Sequence, residues 1–493
     1  MTGAIEFPLL GPKWAIGSVA LAHTMVAVAS IGFSFIVTVA QIAGYRRKDR
    51  ALDLFAKRIQ LYHVCIYNIG TILAIGLIFA LGGLYPQFWS QLFVHLFWTL
   101  ILEEFLFFLL ATTLTFHYFF WENMWGHKKL QIFMGALLTP LFLLQFYLIN
   151  GIGAFMLTPG FSEGQADLAK GILGWDKLAF YNPSFLMLTF HRAFANIAYG
   201  GYVVAGLCAI ALYFVKSEKR RRYYLQGARL SFFTAFVFFL SLPIIGYFYA
   251  WVLKYHAAEA YTNLMWGKGD IVAGGVDWWW LKHIVVIGLF GMSMSYFYRT
   301  SAPEKEGQSF ALPRVMIYAI LGFYLMMYVG MGLVMTWAFF WWMAAFGVAG
   351  WFLGSHLLAY HKESPHALFF VAGILSFATV GLGGYSREDS RPRFEGRISA
   401  HDKVYVPTQR APYLMVDVDP ATIPPAPPVP PPAPLPVRLI REKCIGCHTL
   451  ERVQNYRLDN WDLIVRQMRA YGADLTNDEA KALTEYLEQG KPY

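Results

Sequence analysis

Residues 14–44 read WAIGSVALAHTMVAVASIGFSFIVTVAQIAG, a run without a single Asp, Glu, Lys or Arg. As an α-helix at about 1.5 Å per residue it would be longer than the roughly 30 Å hydrocarbon core of a bilayer. It is also too long for the apolar part of a signal peptide, and only Lys13 precedes it closely, so it is expected to be a retained first membrane span. Working outward, comparable runs recur near 60–82, 91–121, 130–157, 182–215, 227–253, 278–298, 312–335, 338–360 and 366–384. The expected fold class is all-α: a polytopic transmembrane bundle of about ten spans (1–384), followed by an extramembrane segment with a proline-rich linker (385–436) and a small helical C-terminal domain (437–493). The run 312–360 is nearly continuous, and we divide it at Gly330-Met331-Gly332.

Composition agrees. The 493 residues are 57% hydrophobic, 18% aromatic and only 14% charged, with mean hydropathy +0.43, and no soluble core leaves so little polar surface. The net charge of +9 does not point to nucleic acid, because the basic residues collect between apolar runs. Arg46, Arg47, Lys48, Arg50, Lys57 and Arg58 are expected in the loop after the first span, and Lys216, Lys219 and Arg220 to Arg222 in the loop after the fifth. By the positive-inside rule both loops are cytoplasmic. An even number of spans then places the N-terminus and the tail outside, in the periplasm of a bacterial inner membrane. Cys65 and Cys208 lie in apolar runs and read as small buried core residues.

The tail carries the clearest chemistry. Ten prolines between 420 and 436 favour an extended spacer that could reach about 50 Å. Beyond it, Cys444-Ile445-Gly446-Cys447-His448 is the attachment pattern for covalent haem c, in which two thiols form thioethers and the adjacent histidine is an axial ligand. Met468, the one methionine after Cys444, lies on an expected helix 461–470 and is the candidate sixth ligand, with ordinary core packing as its alternative. The order Cys444 to His448, Met468, a turn at 471–475 and a last helix at 478–489 resembles the small class I cytochrome c domains.

Within the body, His23, His95, His191 and His283 fall at one expected depth near the outer ends of the first, third, fifth and seventh spans. Histidines at matched depth are what b-type haems need, whereas a solute transporter would gather ionisable groups at the midplane. His63, His117, His127, His356, His361 and His366 are expected near the inner face in structural roles. Glu103 and Glu104, about 100° apart on a helix, are costly in lipid, so at least one should face a haem, water or a partner. Trp278 to Trp280, Trp341 and Trp342 read as an interfacial belt, and 385–419, with Arg387, Arg391, Arg393 and Arg397, as a solvated linker or a docking segment. No phosphate-binding glycine loop, catalytic triad or zinc cluster is present in the sequence.

Three blocks, Leu21-Ala22-His23-Thr24, Leu102-Glu103-Glu104-Phe105, and Asn182-Pro183-Ser184-Phe185 with Phe190-His191-Arg192-Ala193 and Gly200-Gly201-Tyr202, resemble subunit I of the cytochrome bd-type oxidases over roughly the first 300 residues. The resemblance implies that His23 ligates a haem of the oxygen site, that Glu103 belongs to that site and that His191 ligates a low-spin haem b. Lys282 stands where the family has an arginine beside haem propionates, and His283 is the available second donor, with His95 a further candidate iron ligand. Departures accompany it. The family's second glutamate on the third span aligns with Ala111, the quinol loop is reduced to 254–277 without its signature, and Gly350-Trp351-Phe352 is followed by Ser355 rather than a ligating glutamate.

The expected cofactors are one covalent haem c and one to three haem b, with haem d as a variant. The expected partners are membrane lipid, a second integral-membrane subunit, a periplasmic electron carrier and, in one version, quinone, with no nucleic acid. Two functions stay open. Either haem c feeds membrane haems that reduce dioxygen at the His23 and Glu103 site, or the chain is a cytochrome b/c relay between the quinone pool and periplasmic partners.

Overall fold

The computed structural model describes residues 11–86, 96–155, 180–256, 278–301, 312–334, 337–360, 365–390, 435–440, 460–470 and 475–489, with isolated positions between them. Ten long helices form the body: α1 (Gly11–Arg47), α2 (Arg50–Leu84), α3 (Phe97–Phe119), α4 (Lys128–Phe155), α5 (Phe185–Phe214), α6 (Glu218–His256), α7 (Trp278–Thr300), α8 (Arg314–Val334), α9 (Trp337–Tyr360) and α10 (His366–Ser390). A 3-10 turn, Asn123–His127, joins α3 to α4. Among the described residues nine helices are long and apolar enough to cross a membrane, and α8 contributes the shorter apolar stretch Arg314–Met327. The chain is a multi-pass membrane protein. Helices are what this composition must form, because every backbone amide inside lipid has to be satisfied within its own segment.

Several boundaries differ from the sequence expectation. Arg50, Lys57 and Arg58 lie within α2, not in a loop. The connection is only Lys48 and Asp49: Lys48 takes a left-handed φ of 54°, the Asp49 amide donates back to the Gly44 carbonyl at 2.9 Å, and the Asp49 carboxylate caps α2 at the Ala51 amide at 2.9 Å. A left-handed residue closing one helix and an Asx cap opening the next make a turn too tight for a basic loop. The division of 312–360 falls after Val334 rather than at Gly330 to Gly332, and α10 continues past 384 to Ser390.

Neighbouring helices alternate in direction. Val26 lies against Gly70 and Val19 against Gly76, so α1 and α2 are antiparallel. Along α7 and α9, Ile287 meets Gly347, Gly288 meets Gly350, and Met292 and Ser295 meet Gly354, so these two are parallel and α8 returns between them. The sequence 312–360 is therefore two crossings. Gly350, part of the stretch that resembles a haem-ligand motif, packs against the α7 backbone. Helix α10 runs against α1, with Met25 beside Gly381 and Leu21 beside Gly384, and against α5, with Gly206 facing the Phe369 carbonyl and Gly373 that of Tyr202. The start of α1 and the end of α10 consequently lie at the same end of the bundle.

The main core joins α1, α2, α5, α6, α7 and α10, with Phe33, Tyr202, Phe232, Phe236, Phe297 and Phe369 at its centre. α1 and α5 touch at Gly32 and Gly200, where a Cβ on either glycine would stand 2.5 Å from the other's Cα. Backbone cannot turn aside as a side chain can. Gly200→Val should therefore destabilise the bundle by about 3 kcal/mol or more, read as a lower unfolding temperature in detergent; an unchanged temperature would show that the helices do not meet there. Cys208 is buried in this core, but Cys65 is exposed on α2, correcting the expectation that both are core residues. Helix α2 turns most of its length outward, and a thiol is apolar enough to lie against lipid.

At the C-terminal end, α11 (Leu435–Leu439), α12 (Trp461–Ala470) and α13 (Asn477–Glu488) share a small core of Leu439, Ile440, Val465, Leu475, Leu483 and Leu487. A capping box starts α13: the Thr476 hydroxyl accepts from the Glu479 amide at 3.2 Å, and the Glu479 carboxylate accepts from the Thr476 amide at 2.8 Å.

Candidate functional site

Counting from the contact of Gly32 with Gly200 gives the depth of the site. His23 lies nine residues before Gly32 and His191 nine before Gly200, so on two parallel helices both stand about 13 Å above the crossing. The His23 Nδ1 atom is 3.1 Å from the Gly70 carbonyl on α2. A carbonyl oxygen can only accept, so Nδ1 carries the proton and Nε2 is left as the nitrogen able to take a metal.

Glu103 shares that level. One turn deeper, the Tyr67 hydroxyl donates to the Phe107 carbonyl at 2.9 Å, and the two rings stack with centroids 5.6 Å apart. Stepping one turn outward from this pair reaches Gly70 on α2 and Glu103 on α3. The two adjacent carboxylates divide: Glu103 is half-buried and accepts from Gln145 Nε2 on α4 at 2.7 Å, whereas Glu104 is exposed on the outer surface of α3.

Helix α4 carries the level across to α5. Asn150 donates to the Thr189 hydroxyl at 2.6 Å and accepts from Arg192 at 2.7 Å, and the Arg192 guanidinium lies 5.0 Å over the Phe146 ring. On its other side His191 is stacked on Tyr249 of α6, centroids 6.1 Å apart, beside Gly246, where a Cβ would stand 3.4 Å from the imidazole. His191 Nδ1 is buried without a hydrogen-bond partner. Lys282 of α7 lies close enough for its charge to act on His191, and its aliphatic stem passes 3.7 Å from a Cβ position on Gly383 of α10.

His23, Glu103, His191 and Lys282 thus come from four helices to one end of the bundle, the end at which α10 releases the C-terminal segment. This donor set fits haem: one imidazole tautomer is fixed by a carbonyl, a second imidazole has an uncommitted nitrogen, and a cation stands where a propionate could be neutralised. His283 is half-buried on α7 near this level. His95, Cys444, Cys447 and His448 lie outside the described residues. Met468 is half-buried on α12 and is not one of the side chains filling the small C-terminal core. Among the described residues, no three His, Cys, Asp or Glu side chains gather as a metal cluster.

Sequence reasoning missed Gln145, Asn150 and Tyr249, all neutral polar residues inside apolar runs. Such groups at membrane depth are themselves a signal. Nor did the sequence show that His63 and His117 are fully buried between the helices; His117 stands near the end of α3, beside the Gln131 carbonyl at 3.1 Å. His356 is exposed, as an interfacial histidine can be, and Trp341 and Trp342 are exposed at the start of α9.

At the opposite end the charged groups pair. Lys57 donates to Glu122 at 2.5 Å and holds that carboxyl below its usual range, and Lys128 pairs with Asp53 while its ammonium lies 4.9 Å over the Trp125 ring.

Residues 12–262, just over half of the chain, match the family profile described as cytochrome bd terminal oxidase subunit I. No curated protein sequence matches the chain. Among solved structures, the bd oxidase from Geobacillus thermodenitrificans is similar in fold, with a TM-score of 0.55 at 16% sequence identity over 83% of this chain and 91% of that one.

Proposed function

Because this chain belongs to the cytochrome bd terminal oxidase subunit I family, whose members are membrane haem proteins of the respiratory-oxidase type, we propose that it passes electrons from a covalent haem c on its tail to haem at the His23, Glu103 and His191 level, where dioxygen is reduced. The observation that carries this is the gathering of those side chains, with Lys282, at the bundle end from which the tail departs.

The C-terminal segment supplies electron entry. Residues 437–493 form a cytochrome c domain attached by Cys444 and Cys447, with His448 and Met468 as iron ligands, and 385–436 tether it within reach of the bundle. Haem attachment of this kind belongs to the outer face. The cluster of Arg46, Arg47, Arg220, Arg221 and Arg222 at the other end of the bundle favours the same orientation, with both termini periplasmic.

Bound haem would supply an iron that changes oxidation state and so can deliver electrons to dioxygen. The chain's residues do the rest. His23 and His191 would hold haem iron through imidazole nitrogens, with His283 as a further donor. Lys282 neutralises propionate charge. Glu103 keeps one carboxylate oxygen on Gln145 and would offer the other as a proton carrier. A second integral-membrane subunit covers the exposed α3 face that carries Glu104, since a carboxylate facing lipid is costly.

The test is an oxygen-electrode measurement on the purified complex. Reduced soluble cytochrome c should support rapid dioxygen consumption, and a quinol should support little, given the short 254–277 segment. Haems that are reduced by quinol while no dioxygen is consumed with either donor would replace this function with electron relay.

A further inference from the structure

The four helices α1 to α4 enclose a second set of polar groups below the haem level. Asp53, Gln60, His63 and Tyr67 occur on α2 at spacings of seven, three and four, and so form one stripe along its inward face. The corresponding face of α3 carries Glu103, Thr113 and His117 at spacings of ten and four. Gln60, His63, His117 and, on α1, Gln41 are each 0% exposed. An apolar interior would be easier to build here, because buried polar atoms are costly unless bonded.

Only part of that hydrogen-bonding capacity is met within the protein. His117 Nε2 lies 3.1 Å from the Gln131 carbonyl, and Gln60 Nε2 makes a long contact of 3.5 Å with the Leu114 carbonyl. Both nitrogens of His63, both polar atoms of Gln41, Nδ1 of His117 and Oε1 of Gln60 have no partner. Of these side chains, Gln41 and His117 lie side by side. Gly135 of α4 is the reason: a Cβ there would collide with the Gln41 amide and stand 3.0 Å from the His117 ring, so its absence lets the two side chains approach. His63 is flanked by Phe33 at 5.9 Å and Phe142 at 5.1 Å, and Phe142 also touches Tyr67 at 5.8 Å.

Both ends of the stripe are defined. The deep end is the Asp53 and Lys128 pair, where Lys128 also donates to Gln131 at 2.6 Å and Gln131 donates to the Trp121 carbonyl at 2.8 Å. The other end is Tyr67, one turn below Glu103. We propose that this stripe is a hydrated proton-uptake path from the Asp53 and Lys128 end of the bundle to Glu103, with His117 and His63 as its relay groups.

The proposal rests on the oxidase function argued above. Reducing dioxygen to water consumes one proton for every electron delivered, and the electrons and protons reach the site from opposite ends of the bundle. A neutral imidazole accepts a proton on one nitrogen and releases one from the other, so it can pass a proton without rotating far. Internal water would bridge the amide and imidazole atoms that have no protein partner, since buried water is held where several polar groups converge without partners of their own.

Two readouts test it on the full complex. In X-ray hydroxyl-radical footprinting, side chains that touch internal water are labelled irrespective of surface exposure, so His63 and His117 should be modified while Phe33, also 0% exposed, is not. In proteoliposomes, His63→Phe and, separately, Gln41→Leu should slow dioxygen consumption about a hundredfold, the usual worth of a positioned proton-transfer group. Haem spectra and anaerobic haem reduction by the donor should stay unchanged, which a merely structural defect would not allow. Absence of label on His63 overturns the hydrated path. Label on His63 with full-rate turnover in both variants overturns its role in uptake. A labelled wild-type protein that consumes no dioxygen contradicts the oxidase function and with it the uptake role, and leaves the hydration standing.

Discussion

Replacing His191 by alanine should remove one non-covalent haem from the purified protein and with it the low-spin b band of the reduced-minus-oxidised spectrum. The imidazole nitrogen Nδ1 is buried without a partner, the ring is held against Tyr249, and Lys282 places a positive charge beside it. A histidine kept structurally would be expected to bond through that nitrogen, since unpaired buried polar atoms are rare. Alanine would remove the proposed iron ligand and, being smaller, introduce no clash against Tyr249 or Gly246. Covalent haem should remain at one per chain. A full b band in the variant would mean that the ligand is elsewhere.

The second large effect concerns the tail. Changing Cys444 and Cys447 together to serine should abolish covalent haem, from one per chain to none, because thioethers need both thiols in this spacing. Membrane haem b should be retained and still be reduced by dithionite. Electron entry from reduced soluble cytochrome c should fall to background if, as proposed, the route begins at this haem. Haem-stained denaturing gels and an oxygen electrode read the two parts separately. Undiminished cytochrome-driven turnover in a protein without covalent haem would place electron entry directly on the bundle.

Much of the architecture was legible because membrane spans are written in one variable. Apolar length marks the helices, and counting residues from one end placed His23 and His191 at the same depth before any packing was known. The Gly32 and Gly200 crossing gives that depth its physical origin. Packing details were less legible. Glu103 and Glu104 differ by one residue, and only the position of Gln145 on α4 shows which carboxylate turns inward. His63 and His117, taken singly, read as interfacial residues; their burial depends on four helices closing around them. The spacing of Asp53, Gln60, His63 and Tyr67 on one helical face was the available signal, since a polar stripe along a transmembrane helix has to face something other than lipid. Cys65 shows the limit from the other direction, because an apolar residue in a membrane helix can face lipid or core with equal ease.

The most direct test of the central claim is the haem content of the purified complex, measured by acid-acetone extraction and pyridine haemochrome spectra, followed by a carbon monoxide difference spectrum of the reduced protein. One covalent haem c with at least two extractable haems, one fraction of which binds carbon monoxide, is the expected result. Haem c alone, or haem c with extractable haem that is wholly inert to carbon monoxide, would contradict a ligand-reducing centre at His23 and Glu103.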